Sequence, residues 1–280
     1  MNPVIAIIQR NLLNYTRNRG RMIGSIVMSM FMLVMFSFMM KSSMSGFGEP
    51  MNYLIAGVII MTVFQTGINN SSDILSDISD GYMKEVMVAP IARSQISIGN
   101  ILSGAVVSTI QGTLTMIISL FIGFRINVLQ ILLLIVVMLV SAMTFSAVGL
   151  FLATVSRNSP SFQTISSMIM MPLTFVSGAY IPTTMMPGFL LPVVYLNPLT
   201  YVTSIFRYIA LGAYKMSSAE LVREGMAFDI HGFIITPIMG LMITVLIGTV
   251  FFALSVGKFN QADFSTIKVT RAMRGGGAPR

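Results

Sequence analysis

From Asn158 to Phe206 the chain runs for 49 residues without one charged side chain. At ~1.5 Å per residue a single straight helix of that length would reach ~74 Å, far more than the ~30 Å hydrocarbon core of a bilayer. The run must therefore break, and its prolines say where. A helix is predicted from about Gln163 to Val176, kinked at Pro172, because a helical proline removes one amide donor and crowds the preceding turn. The next stretch, "SGAYIPTTMMPGFLLPVVYLNP", sets Pro182, Pro187, Pro192 and Pro198 among Gly178 and Gly188. It is apolar but cannot cross as a regular helix. It is predicted to dip into the membrane and return over about 178–207, with Gly178, Pro182, Pro187, Asn197 and Pro198 shaping the hairpin. Irregular backbone at that depth is tolerated only when buried in protein or facing water.

Five further charge-free runs, 22–40, 50–72, 94–124, 126–156 and 230–257, each suit one crossing. Only 9% of the 280 residues are charged and mean hydropathy is +0.84, against roughly 25% charged residues in a soluble domain. The expectation is an all-α polytopic membrane protein with six transmembrane helices and both termini on one side. With the termini inside, the cytoplasmic segments hold Arg10, Arg17, Arg19, Arg21, Lys84, Arg93, Arg157 and Lys258 plus the basic tail, 12 of the 17 Lys and Arg residues. That is the asymmetry of a chain with cytoplasmic termini. Residues 3–19 set Val4, Ile5, Ile7, Ile8, Leu12 and Leu13 apart from Arg10, Asn14 and Arg17, the pattern of an amphipathic helix lying on the membrane surface. The expected division is an interfacial helix over 1–20, a six-span domain over 21–258 and a cytoplasmic tail over 259–280. The closing "GGGAPR" reads as a flexible end or an appended remnant, and no cleavable signal peptide is read at the start.

A net charge of +8 could suggest nucleic acid. The basic residues are scattered between apolar runs rather than forming the continuous track a phosphate backbone needs, so no nucleic acid is expected. With no cysteine there are no disulfides, thiolate metal sites or cysteine nucleophiles. His231 is the only histidine, beside Asp229, too few ligands for zinc, and reads as an interfacial pair. Ser177 in "VSGAY" lacks the companions of an intramembrane protease. No catalytic, cofactor or metal residue is expected. No charge stands in mid-span, which argues against proton or ion coupling and for a hydrophobic or amphiphilic substrate. Among uncharged polar residues in the spans, most suit helix packing; Gln65, Asn69, Gln163 and Ser167 are candidates for a substrate path. The 26 methionines suit an adaptable wall or plain membrane filler, and "GRMIG" is a weak small-xxx-small match.

One charged stretch interrupts the oil: "SDGYMKEVMVAPIARS", residues 79–94. Ser79 or Asp80 can cap a helix start and Pro90 ends it. Two to three turns are unstable alone in water, so the segment is either a docking helix or a solvated connection.

The run "DISDGYMKEVMVAPIARSQISIGNIL", with Gly81, Glu85, Pro90, Arg93 and Gly99, resembles the first cytoplasmic loop of type-2 ABC transporter permeases. A second block from Gly149 to Ile209 resembles the same family through Ser177-Gly178, Pro182, Pro187, Asn197-Pro198 and Arg207. The resemblance extends over essentially the whole chain and is nearest the drug-exporter subgroup typified by daunorubicin-resistance permeases. One departure is Ile78-Ser79-Asp80, where the family often has Arg-Glu before the glycine. The resemblance implies a coupling helix at about 80–92 that seats on a cytoplasmic ATPase subunit. Gly81, Met83, Lys84, Glu85, Met87, Val88, Pro90 and Arg93 would form it, the charges setting register and the apolar residues supplying contact area. Gly257-Lys258 lacks the upstream glycine of a phosphate loop, so ATP and Mg would belong to the partner. The expectation is a non-catalytic permease subunit of an exporter in a prokaryotic cell membrane, of the multidrug-efflux kind. It would work with two ATPase subunits and a second permease copy or paralogue. Export of lipid or lipid-linked glycan, or a non-transporting sensor or assembly partner, are the alternatives.

Overall fold

The computed structural model describes residues 2–43, 50–80, 91–230 and 232–261. Helix α1 (Pro3–Arg17) starts where the Asn2 side chain accepts the Val4 amide at 3.1 Å, with Pro3 at its first position. Its apolar edge lies on α5 (Arg93–Ile122): a Cβ added to Gly99 would stand 3.1 Å from Ile7. Asn11 is buried there and donates to Ser103 Oγ at 2.8 Å. Asn18 ends α1 and its side chain accepts the Arg21 amide at 3.1 Å, opening α2 (Arg19–Ser43).

Helix α3 (Pro50–Asn69) is central. From Asn52 to Phe64 every residue is buried, as expected of a helix hydrophobic all round. Two glycines let neighbours come close. A Cβ on Gly57 would sit 2.1 Å from the Ala179 carbonyl oxygen, and one on Gly67 would sit 3.1 Å from Phe145. After a turn at Asn70 and Ser71 comes α4 (Ser72–Ser79), so the apolar stretch runs from Met51 to Ser79. Ser79 closes α4 and Asp80 stands at its C-terminal cap, donating its amide to the Ser76 carbonyl at 2.8 Å.

Helix α6 (Val128–Val155) packs between α5 and α11 (Pro237–Gln261). Gly248 admits Thr144, whose hydroxyl donates to the Thr244 carbonyl at 3.3 Å, and Ser255 donates to the Ala147 carbonyl at 2.8 Å. Such bonds between helices are the usual fate of hydroxyls in a lipid-embedded bundle. Phe64 meets Phe145 edge-on at 4.9 Å in the shared core.

The long uncharged run breaks as its prolines require. Helix α7 (Ser159–Val176) starts at Asn158, which accepts the Ser161 amide at 2.8 Å, and holds Pro172 inside. Gly178 turns with φ of 81°, where a side chain would be strained. Two 3₁₀ turns, Thr183–Met185 and Gly188–Leu190, lead to α8 (Leu191–Leu196) and α9 (Pro198–Ala210). The axis bends by 86° between Gly188–Leu196 and α9. Pro182 and Pro187 precede the 3₁₀ turns, while Pro192 and Pro198 open helices. These prolines start elements as well as end them.

Four stretches, Met51–Ser79, Arg93–Ile122, Val128–Val155 and Pro237–Phe259, are long and apolar enough to cross a membrane, or five if the bent pair is one crossing. Two of the six expected spans stand outside that set. Helix α7 has 18 residues with Ser161, Gln163, Thr164, Ser166 and Ser167 in its first half, and α2 lies only partly within the residues whose side chains are described. The last span also begins later than residue 230. A capped helix α10 (Ser218–Arg223) and a two-stranded hairpin, β1 (Phe228–Ile230) and β2 (Phe233–Ile235), precede it. The chain is mostly helical and multi-pass.

Candidate functional site

Two acidic residues on α4 anchor one end of the bundle. Asp73 and Asp77 are four apart, so they share a helix face. Asp77 takes a bidentate contact from Arg10 of α1, Nη1 to Oδ2 at 2.6 Å and Nη2 to Oδ1 at 2.5 Å. Asp73 receives Nη1 of Arg21, from the start of α2, at 3.0 and 3.1 Å. The first pair is the more enclosed, with side chains 32% and 18% exposed; planar bidentate geometry makes such pairs directional. Ile74, Leu75 and Ile78 bury the opposite face of α4. The short helix is thus held on one side by packing and on the other by two arginines. Sequence reading passed over both aspartates. Their four-residue spacing inside "SDILSDIS" was the visible signal, but their partners lie 67 and 52 positions away.

Beside this clamp a cleft of about 200 Å³ opens between α2 and α3, lined by Tyr15, Arg21, Ser25, Met28, Gln65 and Asn69 among others. Gln65 is the only exposed residue from Met51 to Asn70. Two of the four candidate path residues, Gln65 and Asn69, therefore share a site. Gln163 and Ser167 do not join them; both are exposed on α7, in a stripe with Met168 and Met171. Tyr15 lines the cleft and is itself buried. Desolvation pushes its hydroxyl up to about 12, against the pull of Arg21, so it remains a proton donor at any physiological pH. A second groove of about 290 Å³, lined by Ile101, Val140, Met143, Val245 and Phe252, is almost wholly apolar.

Of the expected coupling residues, Gly81, Met83, Lys84, Glu85, Met87, Val88 and Pro90 lie outside the described residues. Arg93 is the first residue of α5, half-buried. His231 also lies outside. Among the described residues no cluster of three or more His, Cys, Asp or Glu forms a metal site.

The hairpin residues act through the backbone. Asn197 joins the two halves of the bend: its side chain accepts the Leu199 amide at 3.0 Å and donates to the Leu173 carbonyl at 2.8 Å. Arg207, part of the second block of the family resemblance, is 1% exposed within α9. Its Nη2 donates to the Ala179 carbonyl at 2.6 Å, its Nε to the Tyr53 carbonyl at 3.3 Å, and its carbon lies 3.4 Å over the Tyr53 ring. The guanidinium ties α9, α3 and the turn after α7 together. No sequence pattern announced that burial.

Residues 3–211 match the family model of the ABC-2 type transporter. The chain belongs to that family. It is 28% identical over 171 residues to the inner membrane transport permease YadH of Escherichia coli K12, across 60% of this chain and 66% of that protein, just under two thirds of its length. It is 27% identical over 226 residues to the putative transport permease ycf38 of Porphyra purpurea, covering 75% and 74% of the two chains. Its counterpart in Cyanophora paradoxa is 22% identical over 263 residues, covering 91% and 88%. With its long apolar helices, the chain is a multi-pass membrane protein of the ABC-2 type transporter family.

Proposed function

We propose that the chain is the membrane-spanning subunit of an ATP-driven exporter for a hydrophobic or amphiphilic substrate. It works with a second permease copy or paralogue and with two cytoplasmic ATPase subunits that carry ATP and Mg. The observation that carries the reading is the clamp on α4. This helix continues α3 through the turn at Asn70 and Ser71, and residues 81–90 follow it in sequence. Arg10 and Arg21 tie it to α1 and to the start of α2. A displacement delivered to residues 81–90 is passed by α4 to α3 directly and to α1 and α2 through two ion pairs. Rigid transmission of that kind is what a permease without its own phosphate loop needs in order to use a partner's ATP.

The basic asymmetry of the sequence sets the α1 end in the cytoplasm. Six crossings follow if α2 and α7 each span, with the bent segment from Gly178 to Arg207 as a re-entrant element near the outer surface. Substrate then leaves outward past that segment.

A single cysteine tests the central claim, since the chain has none. Met87→Cys, carrying a short photo-crosslinker in native membranes, should capture a chain with a phosphate-loop ATPase sequence, identified by mass spectrometry. Labelled, accessible cysteine that never yields such an adduct would refute the coupling role of this segment.

A further inference from the structure

We propose that the cleft between α2 and α3 binds the anionic head group of one amphiphile, with Arg21 and Tyr15 as its recognition groups. This deepens the exporter reading, on which it rests for the use of the site in transport but not for binding itself.

Four observations carry it. The first is an unspent donor. Tyr15 is 6% exposed and its hydroxyl has no hydrogen-bond partner among the described residues, and burying an unpaired hydroxyl is unfavourable. The second is unspent cationic capacity. Asp73 engages only Nη1 of Arg21, so Nε and Nη2 still offer N–H groups suited to a phosphate, sulfate or carboxylate.

The third is charge and polarity. Arg17, Arg19 and Arg21 stand at the junction of α1 and α2, where Asp73 is the one carboxylate paired with them among the described residues, which leaves a local excess of positive charge. Gln65 and Asn69 line the same cleft with no side-chain hydrogen-bond partner among the described residues. Amide and hydroxyl groups facing a bilayer otherwise seek protein or water. The fourth is a path for the tail. Met28 lines the cleft, and Phe31 and Met35 continue from it along the exposed face of α2, each at least half exposed. A volume of about 200 Å³ suits one small head group, not a glycan chain. Polar head inside and apolar tail along α2 is the division an amphiphile brings.

The chain has no tryptophan, so Met28→Trp provides a single fluorescent reporter at the cleft rim. The full chain is reconstituted in phosphatidylcholine vesicles containing increasing brominated phosphatidylglycerol or, in parallel, brominated phosphatidylcholine. The anionic lipid should quench at roughly three- to tenfold lower mole fraction, the range of one ordinary hydrogen bond made in competition with water. In the same background Arg21→Gln should abolish that preference. Tyr15→Phe, which leaves the Arg21–Asp73 pair intact, should reduce it severalfold even if Arg21→Gln fails to fold. Two sources share this chemistry, a resident membrane lipid and a single-chain cargo. Added unbrominated dodecyl phosphate separates them: relief of quenching assigns the site to exchangeable cargo, and persistence assigns it to bilayer lipid. Equal quenching by the two lipids, or a preference that neither Arg21→Gln nor Tyr15→Phe moves, overturns the site; that is also the result if a second permease copy covers Gln65. No ATPase is present, so failure here leaves the coupling reading standing, and failure to capture an ATPase leaves this result standing.

Discussion

The guanidinium carbon of Arg207 stands over the ring of Tyr53, 3.4 Å from its centroid, while its Nε and Nη2 reach the backbone carbonyls of Tyr53 and Ala179. A cation buried in a membrane bundle is costly unless it is well satisfied. Here it joins three segments that the sequence leaves far apart. Arg207→Met should lower unfolding stability in detergent by about 3 kcal/mol, because both carbonyls lose a charged donor. Arg207→Lys should recover only part of it, since an ammonium cannot stand over the ring and reach both carbonyls. Equal stability of Arg207→Met and the native chain in a thermal melt would show that the contact contributes nothing.

Gly57 faces the same turn. Its added Cβ would lie 2.1 Å from the Ala179 carbonyl oxygen, and backbone cannot swing aside as a side-chain tip can. Gly57→Ala should therefore cost roughly 2–3 kcal/mol. Gly24→Ala, with no atom within 4 Å, should be neutral or gain up to about 1 kcal/mol of helix propensity. Melting the two variants side by side separates overpacking from any general effect of removing glycine.

The Arg10–Asp77 pair allows a charge exchange. Arg10→Glu alone should impair transport, and adding Asp77→Arg should restore most of it, with a coupling energy of about 1 kcal/mol in stability. A double variant no better than the single one would mean that the pair holds nothing in place.

Glu85→Lys should uncouple transport from ATP hydrolysis while membrane insertion and yield stay normal. Efflux measured beside ATPase activity in the reconstituted complex checks this. Normal efflux would remove Glu85 from the coupling contact.

The cap of α10 has a pH signature. The Ser217 amide donates to Glu220 at 2.7 Å and its hydroxyl at 2.9 Å, and these bonds hold the carboxyl below its usual range. A carboxylate whose folded pKa is depressed contributes fully above its unfolded value and loses that contribution as pH falls through the folded one. Protection of the Ser217 amide, taken relative to its intrinsic exchange rate at each pH, should thus persist through the ordinary glutamate range and be lost only below it; loss above that range would contradict the cap.

The parts legible in the sequence are those set by local chemistry and by the demand for apolar length. The uncharged run from 158 to 206 could not be one helix, and it breaks after Val176 and again at Asn197. The amphipathic spacing of residues 3–19 became α1, and Gln65 and Asn69 were singled out as polar groups in an oily helix. Other features were decided only by which helices meet. Asp73 and Asp77 carry no local sign of their role; it arises when α4 forms and Arg10 and Arg21 come onto its face. Nothing near Arg207 in the sequence marks it for burial; that depends on carbonyls supplied by α3 and by the turn after α7. Gln163 and Ser167 resembled Gln65 and Asn69 in composition, yet they face outward on α7 while the latter pair shares a cleft. The physical reason is one of range. Capping, proline geometry and apolar length act within a few residues or along one helix, so the order of amino acids determines them. Pairing a cation with an acceptor 52 to 154 positions away is settled by the packed bundle, which only the tertiary structure supplies.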